Sequence, residues 1–331
     1  MKNKYILFGL LFLLGCKMND PTEKYQSSRN NIVEVREKII EVPIEDPFVS
    51  PSTNFLILDK YLVFADGKGY DKLIHVFNKN NFCHVVSTGT LGQGPNDITY
   101  IGDIVADERN NKFYVFDQGK RKLLSFNIDS LIADPNYTFT IKTDLTYDCP
   151  VKMVFMEDSF SIVLHANFNE KTGGGYLESG SWNMMTQKFT KGYENPFVKK
   201  RMYELAASEE HNIYVTTSSR YDLMTICNLD GSLKYNIYGP NWDEKITDIC
   251  HYNMKVCIGG DNIYALYAGG NYRKAAAPTK IIVFDLNGNY IKTLETELNV
   301  YDMCYDKEKH RLFLFTNSDI QFGYLDLEGI I

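Results

Sequence analysis

The amino-acid sequence predicts an all-β fold made of six repeats, and three observations carry this prediction. Tyr, Phe and Trp make up 14% of the 331 residues, and Tyr and Phe favour the pleated, half-buried surface of a sheet. Short apolar segments recur along the chain at a nearly constant interval of about 50 residues. Polar turn sequences separate these segments, and none of the segments shows the 3.6-residue periodicity of an amphipathic helix.

The charge balance excludes one class of function. The chain has 35 Lys and Arg residues against 42 Asp and Glu residues, which gives a formal net charge of −7. A nucleic-acid binder that works through bulk positive charge is therefore excluded, and we expect no nucleic-acid partner. The hydrophobic content of 44% allows one large core or two ordinary ones and excludes a chain that is disordered throughout.

The first element is an export signal. Residues 1–16 read MKNKYILFGLLFLLGC, with a basic start and an apolar run from Ile6 to Leu14. This run is too short for a bilayer core, which needs about 20 residues, and is typical of a secretory signal. Its end resembles a bacterial lipobox, which implies cleavage before Cys16 and lipidation of the thiol; an ordinary signal peptide with an incidental cysteine is the alternative. We therefore expect a signal peptide over 1–15 and an exported protein that is anchored to a membrane without crossing it.

A polar stretch follows the cysteine. Residues 17–31, KMNDPTEKYQSSRNN, show no periodicity, so we expect residues 16–31 to act as lipid anchor and flexible tether. Lys17 stands where an Asp would favour retention in the inner membrane, so the lipobox resemblance favours attachment to the outer membrane. The folded domain is then expected over residues 32–331.

Two landmarks define each repeat of the folded domain. The first is an apolar segment that recurs as YLVFAD from 61, KFYVFD from 112, SFSIVL from 159, NIYVTT from 212, NIYALY from 262 and RLFLFT from 311. The second is another apolar segment, which ends at Asn78, Asn127, Asn183, Asn228, Asp285 and Asp326. In the last three repeats a turn of the Leu-Asp-Gly type follows, as a hairpin requires. A further strand precedes the first landmark, so each repeat is predicted to contain four strands.

Six radially repeated units of four antiparallel strands form a six-bladed β-propeller. The last repeat ends at Ile331 without a fourth strand of its own, while an orphan strand-like segment at 32–43 precedes the first repeat. We expect this N-terminal strand to join the last blade and close the ring, which removes an exposed sheet edge. Two β-sandwiches in tandem are the alternative, and they do not explain the constant period.

One stretch resembles a known family. LGQGPNDITYIGDIVADERNNKFYVFDQGKRKLLSFN, from Leu91 to Asn127, resembles the Gly-x-Gly-Pro and Tyr-Val-x-Asp pattern of six-bladed propeller lipoproteins common in Bacteroidetes, which are related to the NHL and TolB-like propellers. Signal, repeat and motif together extend the resemblance over essentially the whole chain. It departs from the pattern at Ser161–Leu164 and at Tyr264–Tyr267, which lack the terminal acid. The resemblance implies fold and location and assigns no reaction.

The loops predict which face of the ring binds a ligand. In a propeller, the loops between strands two and three and the crossings between blades surround one mouth of the channel. Here these loops carry Lys or Arg beside Tyr, Asn or Asp, a mixture suited to an acidic sugar or an extended peptide, whereas the turns of the opposite face are short and acidic. The candidate binding residues are Lys68, Tyr70, Gln93, Asn96, Lys120, Arg121, His165, Asn167, Arg220, Tyr221, Trp242, Tyr272 and Arg273. The alternative is that the loops are polar only because they are exposed.

Two patterns could carry chemistry at this mouth. The GQGP sequence at 92–95 lacks the Lys-Ser/Thr and the helix of a phosphate loop, so its glycines more simply make a tight crossing between blades, with the proline fixing the turn. Loops from distant blades converge on one axis, so a metal site could be assembled there. Its candidate ligands are Asp66, Asp117, His165 and Asp319. We assign no catalytic residue and expect no cofactor.

Cysteine and aromatic residues are expected to serve packing. Most of the six cysteines after Cys16 lie in apolar strands, and a disulfide between Cys250 and Cys257 is the alternative. The aromatic residues that recur at one point of the repeat are expected to pack the blades. They are Phe113, Tyr114, Phe116, Tyr214, Tyr264, Phe313 and Phe315.

The sequence as a whole favours a lipid-anchored, non-catalytic binding module of the cell envelope. Its ligand is expected to be a glycan, a peptide or a partner protein. A metal-dependent propeller enzyme of the lactonase or lyase type is the alternative, and a structural subunit that docks by its blade edges is a third interpretation.

Overall fold

The computed structural model describes residues 21–331, apart from residues 45, 51–52, 135, 147–148, 170–173, 200 and 275. The expected signal peptide and the expected lipid anchor, Cys16, lie outside the described residues. Within the described part of the chain, no helix is both long and apolar enough to cross a membrane.

The strands fall into three short N-terminal strands and six sheets. The N-terminal strands are β1 (Glu23–Tyr25), β2 (Ile32–Glu34) and β3 (Ile39–Glu41). Blade one contains β4 (Thr53–Leu58), β5 (Tyr61–Asp66), β6 (Lys72–Asn78) and β7 (His84–Thr90). Blade two contains β8 (Ile101–Asp107), β9 (Lys112–Asp117), β10 (Lys122–Asn127) and β11 (Thr140–Asp144). Blade three contains β12 (Pro150–Glu157), β13 (Phe160–Asn169), β14 (Gly174–Asn183) and β15 (Lys188–Lys191).

The second half of the chain repeats this arrangement. Blade four contains β16 (Tyr203–Ser208), β17 (Ile213–Ser218), β18 (Leu223–Asn228) and β19 (Leu233–Tyr238). Blade five contains β20 (Ile249–Gly259), β21 (Asn262–Asn271), β22 (Lys280–Asp285) and β23 (Tyr290–Glu295). Blade six contains β24 (Val300–Asp306), β25 (Arg311–Thr316) and β26 (Phe322–Asp326).

The six sheets are arranged as a ring. The first strand of each blade contacts the first strand of the next, from β4 through β8, β12, β16 and β20 to β24, and β24 in turn contacts β4. Within each blade, consecutive strands pair in antiparallel order. The repeats of the sequence therefore form the six-bladed β-propeller that they predict, and both landmark segments of each repeat are its second and third strands.

The core lies in the layers between neighbouring blades. Tyr114 of blade two, for example, packs its ring 5.0 Å from the ring of Phe155 in blade three. All seven recurring aromatic residues predicted to pack the blades are buried, which confirms that prediction. Burial of these large rings removes apolar surface from water between the blades.

The N-terminal strands cover the outer edges of three blades. β3 pairs antiparallel with β26 and supplies the missing fourth strand of blade six, which confirms the predicted closure. β1 pairs parallel with β19 at the edge of blade four, and β2 pairs parallel with β23 at the edge of blade five. We call residues 23–41 the N-terminal strap.

The strap corrects two expectations. The flexible tether expected over 16–31 contains a paired strand, and the segment expected to join the last blade from 32 onward first pairs with blade five. Arg29 explains why this polar stretch is held: its Nη1 lies 2.9 Å from the buried Asp222 carboxylate, and its Nη2 donates to Tyr252 Oη at 2.8 Å. The guanidinium also lies beside the rings of Tyr252, Tyr267 and Phe284.

Short helices were not predicted. α1 (Ile128–Ala133) begins after β10, where the Asn127 side chain accepts the Ser130 N–H and Leu131 is buried. Single turns of 3₁₀ helix occupy Arg36–Lys38, Glu108–Asn110 and Tyr272–Lys274.

Two further details differ from the expectations or choose between them. The Leu327-Glu328-Gly329 turn is followed by no strand in the described chain, so it is not a hairpin. Cys227 and Cys250 are buried, which confirms the packing role for these two, and Cys250 and Cys257 form no disulfide with each other.

Candidate functional site

The mouth of the channel is set by strand register. Thr53 at the start of β4 pairs with Asp66 at the end of β5, and Ile101 of β8 pairs with Asp117 of β9. The start of each inner strand and the end of the second strand therefore lie on the same face. Loops after the second strands and crossings between blades surround this mouth together.

The carboxylates that end these second strands hold the loops of the mouth. Asp66 accepts the backbone N–H groups of Ser50 at 2.8 Å and Lys68 at 2.9 Å. Asp117 accepts those of Thr99 and Lys120, both at 3.1 Å. Each buried carboxylate thus joins the crossing that enters its blade to the loop that follows the second strand, which accounts for the acid of the Tyr-Val-x-Asp motif.

The crossing from blade one to blade two is also held by a carboxylate, that of Asp97. A Cβ at Gly92 would lie 2.4 Å from Asp97 Oδ2 and one at Gly94 only 2.7 Å from it, so both glycines leave room for this carboxylate. Gly94 N–H donates to the same oxygen at 2.7 Å, and Lys120 Nζ donates to the Asp97 carbonyl oxygen at 2.7 Å. The GQGP sequence therefore makes the tight crossing expected of it.

The thirteen candidate binding residues do not form one surface. Lys68 is the one that lines the cavity at the mouth. Tyr70 is 95% exposed, and Gln93 and Asn96 are exposed on the crossing. Asn167 donates to Glu178 at 3.5 Å, and Arg273 lies 3.2 Å from Asp248. Lys120, Arg121, Trp242 and Tyr272 are half-buried.

Three of these candidates are buried, which corrects their assignment to an exposed face. His165 stacks on Phe189 at 4.6 Å between ring centroids. Tyr221 belongs to the apolar layer with Trp242. Arg220 donates to the Thr247 carbonyl oxygen at 2.8 Å and lies 3.9 Å from the ring of Tyr272.

The candidate metal ligands also have other roles. Asp66 and Asp117 accept the backbone hydrogen bonds described above, and His165 is buried against an aromatic ring. Asp319 is exposed and lies 2.6 Å from Arg36. Among the described residues, no group of three or more His, Cys, Asp or Glu side chains is placed to hold a metal ion.

A cavity of about 620 Å³ opens at the mouth. Residues of the inner strands form most of its wall, and Lys68, Tyr100 and Gln118 form its rim. The inner-strand residues include Asn54, Asp103, Lys152, Lys255 and Asp302.

Five charged residues of alternating sign surround the channel. We call them the charge ring, and they come one from each of blades two to six: Asp103, Lys152, Glu204, Lys255 and Asp302. Lys152 pairs with Glu204, and Lys255 Nζ lies 3.0 Å from Asp302. Asp103 accepts the Met153 N–H at 3.2 Å and forms no ion pair with any described residue.

Electrostatics separate Asp103 from the paired members of the charge ring. Burial raises the pKa of Asp103 above its ordinary value, although Lys152 and Lys255 oppose that shift. Burial lowers the pKa of Lys255, but the carboxylates of Asp302 and Asp103 outweigh it and hold that pKa above its ordinary value. The Asp103 carboxylate has one backbone donor and no ion-pair partner among the described residues, so it can accept a further donor from a ligand.

The opposite face of the channel is crossed by ion pairs. Arg109 of blade two pairs with Glu209 of blade four, and Lys307 of blade six lies 2.7 Å from Glu210 of blade four. These side chains are exposed, as expected for solvated turns, but they join blades that are not neighbours. The opposite end therefore differs from the mouth in having exposed ion pairs across it.

A pattern in the sequence marks the charge ring. An acid or a base directly precedes an apolar residue inside the first strand of five repeats, as in Asp103-Ile104, Lys152-Met153 and Asp302-Met303. A charged side chain in the middle of an innermost strand lies either against an ion-pair partner or toward the channel. Comparison of the six repeats therefore reveals these positions. Our choice of loop residues missed it.

Known structures share this architecture at low sequence identity. A Bacteroides fragilis protein described as exported is 12% identical, with a TM-score of 0.58 over 88% of both chains. A member of the duf4221 family from Bacteroides vulgatus is 14% identical, with a TM-score of 0.58 over 88% of this chain and 96% of the other. A gluconolactonase from Xanthomonas campestris is 10% identical, with a TM-score of 0.50 over 80% of both chains.

Sequence comparison places the chain in a family. The comparison with curated proteins gave no match. The profile of the DUF5128 family, described as a 6-bladed beta-propeller, matches residues 48–255, which span blades one to four and most of the first strand of blade five. The protein therefore belongs to the DUF5128 family of six-bladed β-propellers.

Proposed function

We propose that the protein is an exported, lipid-anchored binding module of the cell envelope that holds a polar ligand, a peptide or a glycan, in the channel mouth without chemical change. The observation that carries this proposal is the 620 Å³ cavity whose wall presents charges of both signs. Concave sites with a few convergent polar groups are the usual binding sites of proteins.

Two groups at the mouth are available to a ligand. Lys68 is exposed at the rim, where its ammonium group can meet a carboxylate or a carbonyl oxygen. Asp103 lies deeper in the cavity and can accept a hydrogen bond from an N–H or O–H group of the ligand. This bond would offset part of the unfavourable desolvation of its carboxylate. The remaining charges of the ring are paired, so they shape the wall and add no net charge.

The envelope location rests on the first sixteen residues. The short apolar run and the lipobox-like end support export and a lipid anchor at Cys16. The description of the Bacteroides fragilis structure as exported agrees with this assignment. Replacement of Cys16 by Ala should move the protein from the membrane fraction to the soluble fraction after an alkaline wash, and should remove the acyl mass; a variant that stays in the membrane would contradict the anchor.

Binding at the mouth can be tested with defined ligands. Arrays of peptides and glycans would be screened against the full-length protein in detergent, and the affinity of each binder measured by calorimetry. Lys68→Ala and Asp103→Asn should each weaken binding by about tenfold, since each removes one charge-assisted hydrogen bond. Lys188→Ala, an exposed lysine on β15 at the outer edge of blade three, is the matched control.

Two outcomes would overturn this proposal. Mouth variants that bind every ligand as tightly as the wild type would move the site elsewhere. Conversion of a lactone or uronate by the wild type, lost in Asp103→Asn, would replace binding by catalysis.

A further inference from the structure

A second cavity lies beside the mouth, between blades three and four. Its volume is about 440 Å³, and we call it the side pocket. Its wall includes Ala166, Tyr176, Leu177, Met202, Tyr203 and Ser219. Glu204 also lines it while pairing with Lys152 of the mouth cavity, so one ion pair separates the two cavities.

The side pocket is lined mainly by apolar and aromatic groups. Ala166 and Leu177 face each other across the β13–β14 pair, while Tyr176 and Met202 lie toward solvent. Met202 is 37% exposed, which is high for an unbranched apolar side chain in a wall. Flat rings gain from such surroundings through buried area and through contact with sulfur and aromatic faces.

The charges at the side pocket are already neutralised. Arg201 Nη1 lies 2.7 Å from Glu194, and its guanidinium lies 5.0 Å from the centre of the Tyr176 ring. Glu204 is paired with Lys152. A charged ligand group would therefore find no unpaired counter-charge among these side chains and would lose its hydration.

Two buried polar atoms of wall residues lack a hydrogen-bond partner among the described residues, Arg201 Nε and the hydroxyl of Ser219. Ser219 is only 8% exposed. Its backbone is fixed by the bonds from its N–H to Met202 and from the His251 N–H to its carbonyl oxygen. A buried hydroxyl held in this way gains from a ligand that brings one hydroxyl or N–H group.

We propose that the side pocket binds the aromatic side chain of a peptide ligand, a tyrosine or a tryptophan, whose single polar atom meets Ser219. This inference rests on the proposed function, because it identifies the ligand of the adjoining mouth as a peptide. A sugar ring is the less suitable occupant, since its several hydroxyl groups would face Ala166, Leu177 and Met202 without partners. The peptide backbone would continue into the mouth, toward Asp103 and Lys68.

The experiment follows the methyl group of Met202 by NMR in the full-length protein labelled with ¹³C-methyl methionine. N-acetyl-tyrosinamide and N-acetyl-tryptophanamide should shift the Met202 signal and saturate in the millimolar range. N-acetyl-alaninamide and a methyl glucoside should not. Met185, which is exposed in the turn between β14 and β15, is the internal control and should not move.

Two variants sharpen the test. Ala166→Trp fills the pocket and should lower the affinity for the aromatic probes by about tenfold. Ala133→Trp, the same change at the exposed end of α1, should leave that affinity unchanged. Ser219→Ala should weaken N-acetyl-tyrosinamide more than N-acetyl-phenylalaninamide, so the proposal can be judged even if Ala166→Trp does not fold.

The outcomes separate this inference from the proposed function. Lys68→Ala and Asp103→Asn should leave the response of Met202 to the isolated rings unchanged, because those probes do not reach the mouth. If the Met202 chemical shift does not change with any probe, or changes with the glucoside alone, the peptide assignment is overturned. Binding of a glycan at the mouth can still be tested in that case. Aromatic binding with neither peptide nor glycan binding at the mouth overturns the proposed function and the continuation of the peptide into the mouth, while the ring site in the side pocket stands.

Discussion

At the scale of single residues, one buried charge cluster joins the first blade to the last. Asp306 of blade six accepts hydrogen bonds from Lys79 Nζ at 2.8 Å and from Arg311 Nε at 3.0 Å. Arg311 also donates to the Lys79 carbonyl oxygen at 2.8 Å. Lys79 follows the third strand of blade one, so these bonds lie at the joint where the ring closes.

Loss of this carboxylate should destabilise the protein. Asp306→Asn leaves Arg311 buried without its counter-charge and leaves Lys79 only the exposed Glu308, 3.0 Å from its Nζ. We expect the free energy of unfolding to fall by about 3 kcal/mol. Urea denaturation followed by circular dichroism measures this change. Asp71→Asn, at an exposed carboxylate, should change the stability by less than about 0.5 kcal/mol, and equal effects of the two variants would contradict the argument.

The same residue predicts an acid dependence of stability. Burial alone would raise the pKa of Asp306, but the hydrogen bonds from Lys79 and Arg311 hold it below its ordinary value of 3.8. A depressed folded pKa means that this stability is present above the ordinary carboxylate pKa and is lost as the pH falls through the folded pKa. Below pH 3.8, unfolding free energies should therefore fall more steeply for the wild type than for Asp306→Asn; parallel slopes would contradict this assignment.

At the scale of elements, the N-terminal strap depends on one side chain. β1 and β2 each pair over three residues, which is little for a strand, while Arg29 between them reaches the buried Asp222. A Cβ at Gly239 would lie 2.2 Å from that carboxylate, so the glycine makes room for the ion pair. Arg29 therefore adds a buried ion pair to the short strand pairings that hold the strap.

Removal of this side chain should release the strap. Arg29→Ala leaves Asp222 buried without a counter-charge, so we expect a loss of about 3–5 kcal/mol in stability and faster protease cleavage within residues 21–34. Limited proteolysis with mass spectrometry measures the second effect. Lys38→Ala, at an exposed position of the strap, is the control, and equal cleavage of both variants would show that Arg29 does not hold the strap.

The sequence predicts the elements that repeat and fails at those that occur once. The repeat period, the glycines of the hairpin turns and the recurrent aromatic residues were enough to predict the ring and the order of the strands in each blade. They were also enough to predict that β3 closes the ring. The partner of Arg29 is 193 positions away, and nothing in the polar stretch around it signals a strand. α1 is a single insertion stabilised by the Asn127 cap and two buried residues, too short to show a helical period.

The mouth shows the same limit. Loop composition pointed to the mouth at which the 620 Å³ cavity opens, but it could not distinguish a lysine that lines the cavity, Lys68, from one that holds a crossing, Lys120. The charged residues of the charge ring stand at similar places in five repeats. The strands that contain them are largely apolar, and such strands predict packing instead of a channel wall. In a propeller, the side chains of the innermost strands line the channel. Which of these side chains lie close together is known only once the ring is closed.

At the scale of the whole molecule, the channel has two different ends. The mouth carries open cavities, whereas turns of blades two, four and six meet through ion pairs at the other end. A cavity of about 560 Å³ beside these turns is lined by Cys304, whose thiol pKa is raised by burial and by Asp302. The thiol is thus a reporter of access from that side.

Removal of the cross-channel pairs should expose this reporter. The double change Glu209→Ala and Glu210→Ala frees the turns of blades two and six, so labelling of Cys304 by maleimide should accelerate by about threefold or more. Mass spectrometry of labelled peptides measures the rate, and exposed Cys83 in the same sample gives the reference. An unchanged ratio of the two rates would mean that the ion pairs do not restrict access.

The strap also determines when the fold can be completed. The first strands of the folded domain to be synthesised, β1, β2 and β3, pair with β19, β23 and β26, which are among the last. Until the final blade exists, β3 has no neighbour and the ring has two open sides, so a partly made chain lacks its closing contacts. Completion of the ring therefore requires the whole chain, and a chain that lacks its last residues has no closed propeller.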